Sequence, residues 1–375
     1  HTGFAHLFEH LMFSGSANVD SFDNHIQNAG GENNAFTNAD LTNFYDTIPA
    51  ENLETVLWLE SDRMLALNID QKNLDIQRKV VVEEFKETCL NQPYGDVHHH
   101  LASLCYKKHG YQWPTIGKEI AHIEQAKLSE VQSFFQHYYG PDNAIIALSG
   151  NISTEVGFDL IEKWFGDIPA NHQVIQQPAE EPKQEAFRSN TVYGNAPIDS
   201  LYLAFLCPKR VEADFYICDL LSDVLCNGRS SRLYSRLFKE EKLVSHIDCY
   251  LTGAVDNGLF MIEAKPADGV SLDTLRTVIW EELEKLRTAL VGDEELTKVK
   301  NKVENSIVFS EMSIVNKAIN LCFFEALGDI ELINSESQTY QDISAAQLQQ
   351  FAHQFFVQEK CSELIYLQDP KLTVE

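Results

Sequence analysis

The sequence predicts an α+β protein of two homologous domains, each a mainly antiparallel β-sheet packed with α-helices. Three observations lead there. Amphipathic helix patterns alternate with short apolar strand patterns in both halves of the chain. The segment VQSFFQHYY at Val131–Tyr139 is similar to LQQFAHQFF at Leu348–Phe356, and each precedes an apolar strand pattern, Asn143–Leu148 and Ser362–Leu367. A helix followed by a strand at one offset is the mark of a duplicated unit. Between Ala170 and Arg188 the composition turns to Gln, Pro, Glu and Lys without an apolar period, which reads as a linker. The expected division is therefore a first domain at 1–170, a linker at 171–188 and a second domain at 189–375.

The elements follow in order. A helix opens the chain, and a second pattern spans Ser21–Ala29. Gly30-Gly31 then make a turn into strands at Ala35–Thr37 and Thr42–Ile48. Helices are expected at Ala50–Leu67, from Gln71 to about Leu90, at Val97–Lys107 and at Leu128–Tyr138. A short buried strand follows at Asn143–Ser149, then a helix at Thr154–Phe165.

The opening helix carries His6-Leu7-Phe8-Glu9-His10, an H-x-x-E-H pattern. At about 100° per residue, His6 and His10 lie on one face, one turn apart. Two imidazoles so spaced suit one tetrahedral zinc ion. Glu9 lies beside His10, within reach of a water activated by that metal. The order is the reverse of H-E-x-x-H and marks a different class of zinc peptidase.

A catalytic zinc takes three protein ligands and keeps one position open. The Gln71–Leu90 segment has no Gly or Pro. On a helical projection Leu74, Val81, Val82, Phe85 and Cys89 form an apolar arc, with Val80 at its edge. Asp75, Glu83, Glu84 and Glu87 are the acidic candidates. Glu84 falls against the apolar face, where a carboxylate is costly unless paired or metal-bound. It is the preferred third ligand. Gln77 and Thr88 lie on the same line and are expected to support it by hydrogen bonding.

Composition narrows the function classes. A length of 375 residues exceeds one typical core. The formal net charge of −27 and a pI of about 4.8 argue against a nucleic-acid partner. That charge reads either as a solvated acidic surface or as an acidic chamber favouring basic peptides. No apolar run approaches the roughly 18 residues of a membrane span. The eight cysteines are scattered, with no C-x-x-C pair, and read as buried free thiols. This agrees with a reducing compartment. His98-His99-His100 points in three directions on a helix, so a packing role is expected rather than a metal cluster. Gly228-Arg229-Ser230-Ser231 lacks the lysine of a phosphate-binding loop.

The chain resembles the pitrilysin/insulinase-type metallopeptidases, in particular the shorter branch that includes mitochondrial processing peptidase and bacterial zinc proteases. HTGFAHLFEHLMFSGS resembles the zinc helix of that family and RKVVVEEFKE its second metal helix. GGENNAFTNADLTNFY resembles the substrate-strand region. YQWPTIGKEI, YYGPDNAIIALSGNI and LCNGRSSRLYSRL resemble its later markers. The resemblance implies one zinc per chain held by His6, His10 and Glu84, with Glu9 as general base. It also implies a peptide substrate added as a strand beside Asn34, Ala35 and Phe36. A homodimer, or a heterodimer with a homologous chain, is expected.

Two departures stand out. Where many relatives have a second Glu seven residues before the ligand Glu, this chain has Gln77. Where long-chain relatives carry an Arg and a Tyr that polarise the scissile carbonyl, it has Phe238 and Ser245. His246 is the neighbouring candidate donor. The chain also begins at the zinc helix without Met, so opening strands present in relatives are expected to be missing, and the compartment, cytoplasm or bacterial periplasm, stays open. The function expected is hydrolysis of short or unfolded polypeptides. The alternative is a non-catalytic subunit that binds peptides or scaffolds a partner.

Overall fold

The computed structural model describes residues 2–371 except 176. Helices α1 (Phe4–Met12) and α2 (Phe22–Asn28) precede strands β1 (Glu32–Thr37) and β2 (Thr42–Thr47). Next come α3 (Leu53–Ala66), α4 (Gln71–Phe85), α5 (Val97–Cys105), α6 (Ile120–Glu124), α7 (Leu128–Tyr138) and α8 (Thr154–Phe165). Strands β3 (Arg188–Gly194) and β4 (Ser200–Leu206) lead to α9 (Ala213–Leu225), β5 (Val244–Leu251) and β6 (Leu259–Pro266). The chain continues through α10 (Leu272–Thr288), α11 (Asp293–Ser310), α12 (Ile314–Ala326), α13 (Leu332–Asp342) and α14 (Ala345–Phe355) to β7 (Cys361–Gln368). The architecture is α+β, as the alternation of patterns predicts.

Two compact units form. One comprises His1–Lys86, Pro114–Pro178 and Phe309–Ile333; the other comprises Glu87–Trp113, Ala179–Val308 and Asn334–Glu375.

In the first unit the buried face of α1 (Phe4, Leu7, Phe8, Leu11, Met12) packs against Leu74, Val81 and Val82 of α4, with Ile123 and Val131 completing the cluster. These are the i, i+3, i+4 positions of two amphipathic helices. Phe8 is also stacked among Phe134, Phe135 and Tyr139, with ring centroids 4.5–5.8 Å away. Gly3 starts α1 at φ +83°, where a side chain would be strained, and a Cβ there would lie 2.7 Å from the Ile116 carbonyl oxygen. Only glycine admits so close an approach.

Strands β1 and β2 pair antiparallel from Glu32↔Thr47 to Thr37↔Thr42. The turn into β1 needs Gly31, because a Cβ would sit 2.7 Å from the Thr47 carbonyl oxygen. The hairpin end is tied by Asn38, whose side chain accepts bonds from the Asp40 and Leu41 amides, as Asn does in turns.

In the second unit a five-stranded sheet runs β3-β7-β4-β6-β5, with only β3–β7 parallel. Central β4 shows why it is buried on both faces. Leu201, Leu203 and Phe205 join one core with α9, α10 and α14, whereas Tyr202 and Ala204 join another with Val97 and Leu101 of α5. Residues alternating across a strand supply both cores.

One expected strand is absent. Residues 144–149 form no ladder, and Ile145 and Ile146 are exposed. The corresponding β7 is a strand because β3 and β4 flank it; no described strand pairs with residues 144–149. Apolar pattern alone does not make a strand without a hydrogen-bonding neighbour. The expected helix to Leu90 also changes pitch, with a π-helical turn at Lys86–Asn91 following α4. None of the eight cysteines is in a disulfide, and all but the half-buried Cys322 are buried. No single helix among the described residues is long and apolar enough to cross a membrane.

Candidate metal centre

Helices α1 and α4 bring His6, His10 and Glu84 together. One donor atom from each lies within 4.8 Å of the others, and this is the only such grouping of His, Cys, Asp or Glu among the described residues. His6 Nε2 is 3.6 Å and His10 Nε2 3.3 Å from the Glu84 carboxylate oxygens. Tetrahedral zinc with bonds of about 2.0–2.1 Å separates its ligand atoms by about 3.4 Å, so both distances fit one ion. The two imidazoles meet edge to face at 4.9 Å between ring centres, and both have Nε2 beside the carboxylate.

Local packing fixes this geometry. Leu7, Phe8 and Leu11 bury the opposite side of α1, leaving His6, Glu9 and His10 on the half-buried face. On α4, buried Val81, Val82 and Phe85 flank Glu84 and hold it towards α1. The other acidic candidates point elsewhere. Glu83 is exposed and pairs with Lys86 at 2.6 Å, Asp75 pairs with Arg78, and Glu87 is exposed.

Burial lowers the His6 pKa below its ordinary value; His10 adds to this, while the Glu84 and Glu9 carboxylates oppose it. The neutral imidazole so favoured is the metal-binding form. His6 Nδ1 is buried with no hydrogen-bond partner among the described residues, leaving Nε2 as its functional nitrogen.

Glu9 is held from the hairpin side. The Thr37 hydroxyl of β1 donates to Glu9 Oε2 at 2.5 Å, and Thr37 and Thr42 hydroxyls lie 3.1 Å apart. Sequence reasoning did not single out Thr37. Its only signal was its place at the end of β1, two residues beyond Ala35 and on the same side of the strand.

The remaining expected residues fall as follows. Gln77 reaches the Ser14 hydroxyl at 3.5 Å, and Thr88 is exposed in the π-helical turn. Asn34, Ala35 and Phe36 lie on β1, with Asn34 and Phe36 exposed. The Ala35 amide bonds the Asn34 side-chain oxygen at 2.8 Å rather than a β2 carbonyl. Backbone polar groups of a strand alternate sides, so Ala35 directs its amide away from β2. His100 pairs with Asp96 at 3.1 Å, which leaves it a packing role. Phe238 is exposed, and His246 lies 4.0 Å from Glu263.

Comparison with known proteins finds relatives along most of the chain. Residues 1–119 match the family described as insulinase (peptidase family M16), and residues 126–303 match the peptidase M16 inactive domain. A zinc protease from Helicobacter pylori named PqqE is 27% identical over 360 residues, which cover 95% of this chain and 81% of that protein. The beta subunit of the mitochondrial-processing peptidase of Saccharomyces cerevisiae is 20% identical, covering 82% of this chain and 70% of its own. The crystal structure of a protease from Helicobacter pylori superposes with a TM-score of 0.93 at 26% identity, covering 98% of this chain and 89% of the other. With both helices of the metal centre in the first matched region, the chain belongs to the insulinase-type (M16) peptidase family.

Proposed function

We propose that the chain is a zinc metallopeptidase that hydrolyses short or unfolded polypeptides. The observation that carries this is the convergence of His6, His10 and Glu84 donor atoms within 4.8 Å, beside a carboxylate, Glu9, that is not one of the three. In this reading those three residues hold one zinc ion. When bound, zinc supplies Lewis acidity to a hydrolytic water and to the scissile carbonyl. Glu9 takes a proton from the attacking water and delivers it to the leaving amine. Its position on the same helix as two ligands sets the geometry of that transfer without a loop rearrangement.

The peptide lies beside β1. The outward amide of Ala35 offers one main-chain bond to an added strand once the Asn34 side chain yields it. Phe36, 37% exposed, offers an apolar contact to a substrate side chain. Metal binding is assigned to 1–170, and 189–375 is assigned a metal-free role in holding substrate or partner. A second, homologous subunit is part of the proposal, because Phe238 and Ser245 supply neither charge nor phenol to the scissile carbonyl.

Those same two residues favour the second reading, a non-catalytic peptide-binding subunit, as does the match of residues 126–303 to an inactive-domain description. Metal removal separates the readings. Cleavage of an unstructured peptide should stop on dialysis against a zinc chelator and return with one equivalent of zinc. Cleavage indifferent to the chelator would exclude the zinc mechanism, and peptide binding without cleavage by the zinc-loaded chain would favour the subunit reading.

A further inference from the structure

Thr37 and Glu9 are 28 residues apart, on different elements, and their side chains meet at 2.5 Å. A threonine hydroxyl carries one proton. Thr37 spends that proton on Glu9 Oε2. The Thr37 oxygen is then free to accept from Thr42 at 3.1 Å, its partner at the end of the hairpin ladder. The bonds therefore run one way, from Thr42 through Thr37 to Glu9, and each donor polarises the next.

We infer that Thr37 is a positioning residue for the general base: at the head of this hydroxyl chain it holds one oxygen of Glu9 and leaves the other for the attacking water. Thr37 also ends the strand proposed to receive the peptide, so seating of the substrate strand and aim of the base share one residue. The inference rests on reading Glu9 as the base. It adds a device that the H-x-x-E-H pattern does not contain. A carboxylate at the end of three rotatable side-chain bonds would otherwise sample several rotamers, and a misplacement of about 1 Å can cost about a hundredfold in rate.

The test compares Thr37→Val, which keeps the shape and loses the hydroxyl, with Thr37→Ser, which keeps the hydroxyl. Three readouts are taken on the full chain: bound zinc, kcat and KM for an unstructured peptide, and Tm. Thr37→Val should keep its zinc and hold KM within about twofold while kcat falls about 10- to 100-fold. Thr37→Ser should recover most of that loss. Equal losses in both variants, or a rise in KM at unchanged kcat, would overturn the inference in favour of a packing or strand role.

A second arm needs no activity. In metal-free protein, Thr37→Val should lower Tm by about 1–2 °C in the parent and leave it unchanged in a Glu9→Ala background, as expected for coupled partners. Equal shifts in both backgrounds would overturn the pairing. If the pairing holds but the zinc-loaded parent cleaves nothing, the peptidase reading falls instead, and the role in aiming a base falls with it.

Discussion

Glu9→Gln should abolish peptide cleavage while leaving bound zinc at the parental level. The glutamine amide has the size of the carboxylate and can still accept the Thr37 hydroxyl bond, so α1 and the hairpin keep their packing. What it lacks is the capacity to take a proton. Loss of a general base costs about 10²–10⁴-fold in turnover, and that range is expected here. The metal should be retained because His6, His10 and Glu84 supply the donor set without Glu9. Measured together, kcat and zinc stoichiometry separate a lost base from a lost ligand. Undiminished cleavage by the variant would remove Glu9 from the mechanism, and joint loss of zinc and activity would make it a ligand.

The second large effect is on stability. Arg63 of α3 is 2% exposed. Its guanidinium binds Glu60 through two bonds of 2.6 and 2.8 Å and lies over the rings of Phe44, Phe22 and Phe13. Beside it, burial pushes the Asp46 carboxyl of β2 up to about 8; the Glu60 charge and hydrogen bond push the same way, and Arg63 opposes them. Near neutral pH Asp46 is thus held protonated beside Glu60, which pairs with Arg63. Arg63→Ala leaves Glu60 without its partner and three rings without their cover. Breaking a buried pair costs about 3–5 kcal/mol, and the partial exposure of Glu60, 24%, places the expected loss near the lower end.

The same group sets a pH dependence. Asp46 binds its proton more tightly folded than unfolded, so its contribution to stability is complete below about pH 4 and is lost as pH rises through about 8. Urea unfolding of parent and Asp46→Asn between pH 5 and 9 reads this directly. The parent should lose stability with rising pH relative to the variant, by at most about 1.4 kcal/mol per pH unit. Parallel curves would rule out the raised Asp46 pKa.

Helical periodicity carried much of the fold. Leu128–Tyr138 and Thr154–Phe165 are helices with those limits, because their apolar stripes and following breakers act locally. Glu84 was legible for the same reason: its place against the apolar face of α4 follows from helix geometry alone. Features that depend on a distant partner were less legible. β1 starts at Glu32, earlier than expected, because Thr47 of β2 extends the ladder. Residues 144–149 read as a strand yet have no described neighbour to pair with. The Thr37–Glu9 bond and the Arg63 cluster needed the hairpin to be placed beside α1 and α3 before either could be seen. The strand holding Ala35 and Phe36 was legible in the pattern after Gly30-Gly31, whereas the substrate role of Asn34, Ala35 and Phe36 came from the resemblance alone.

The central claim is that His6, His10 and Glu84 hold one zinc ion, and metal analysis tests it most directly. Elemental zinc per chain should be measured for the parent, for Glu84→Gln and for Glu83→Gln as the neighbouring control. About one zinc in the parent and in Glu83→Gln, falling sharply in Glu84→Gln, is the expected result. Equal zinc in the parent and Glu84→Gln would contradict the three-ligand site and with it the mechanism built on it.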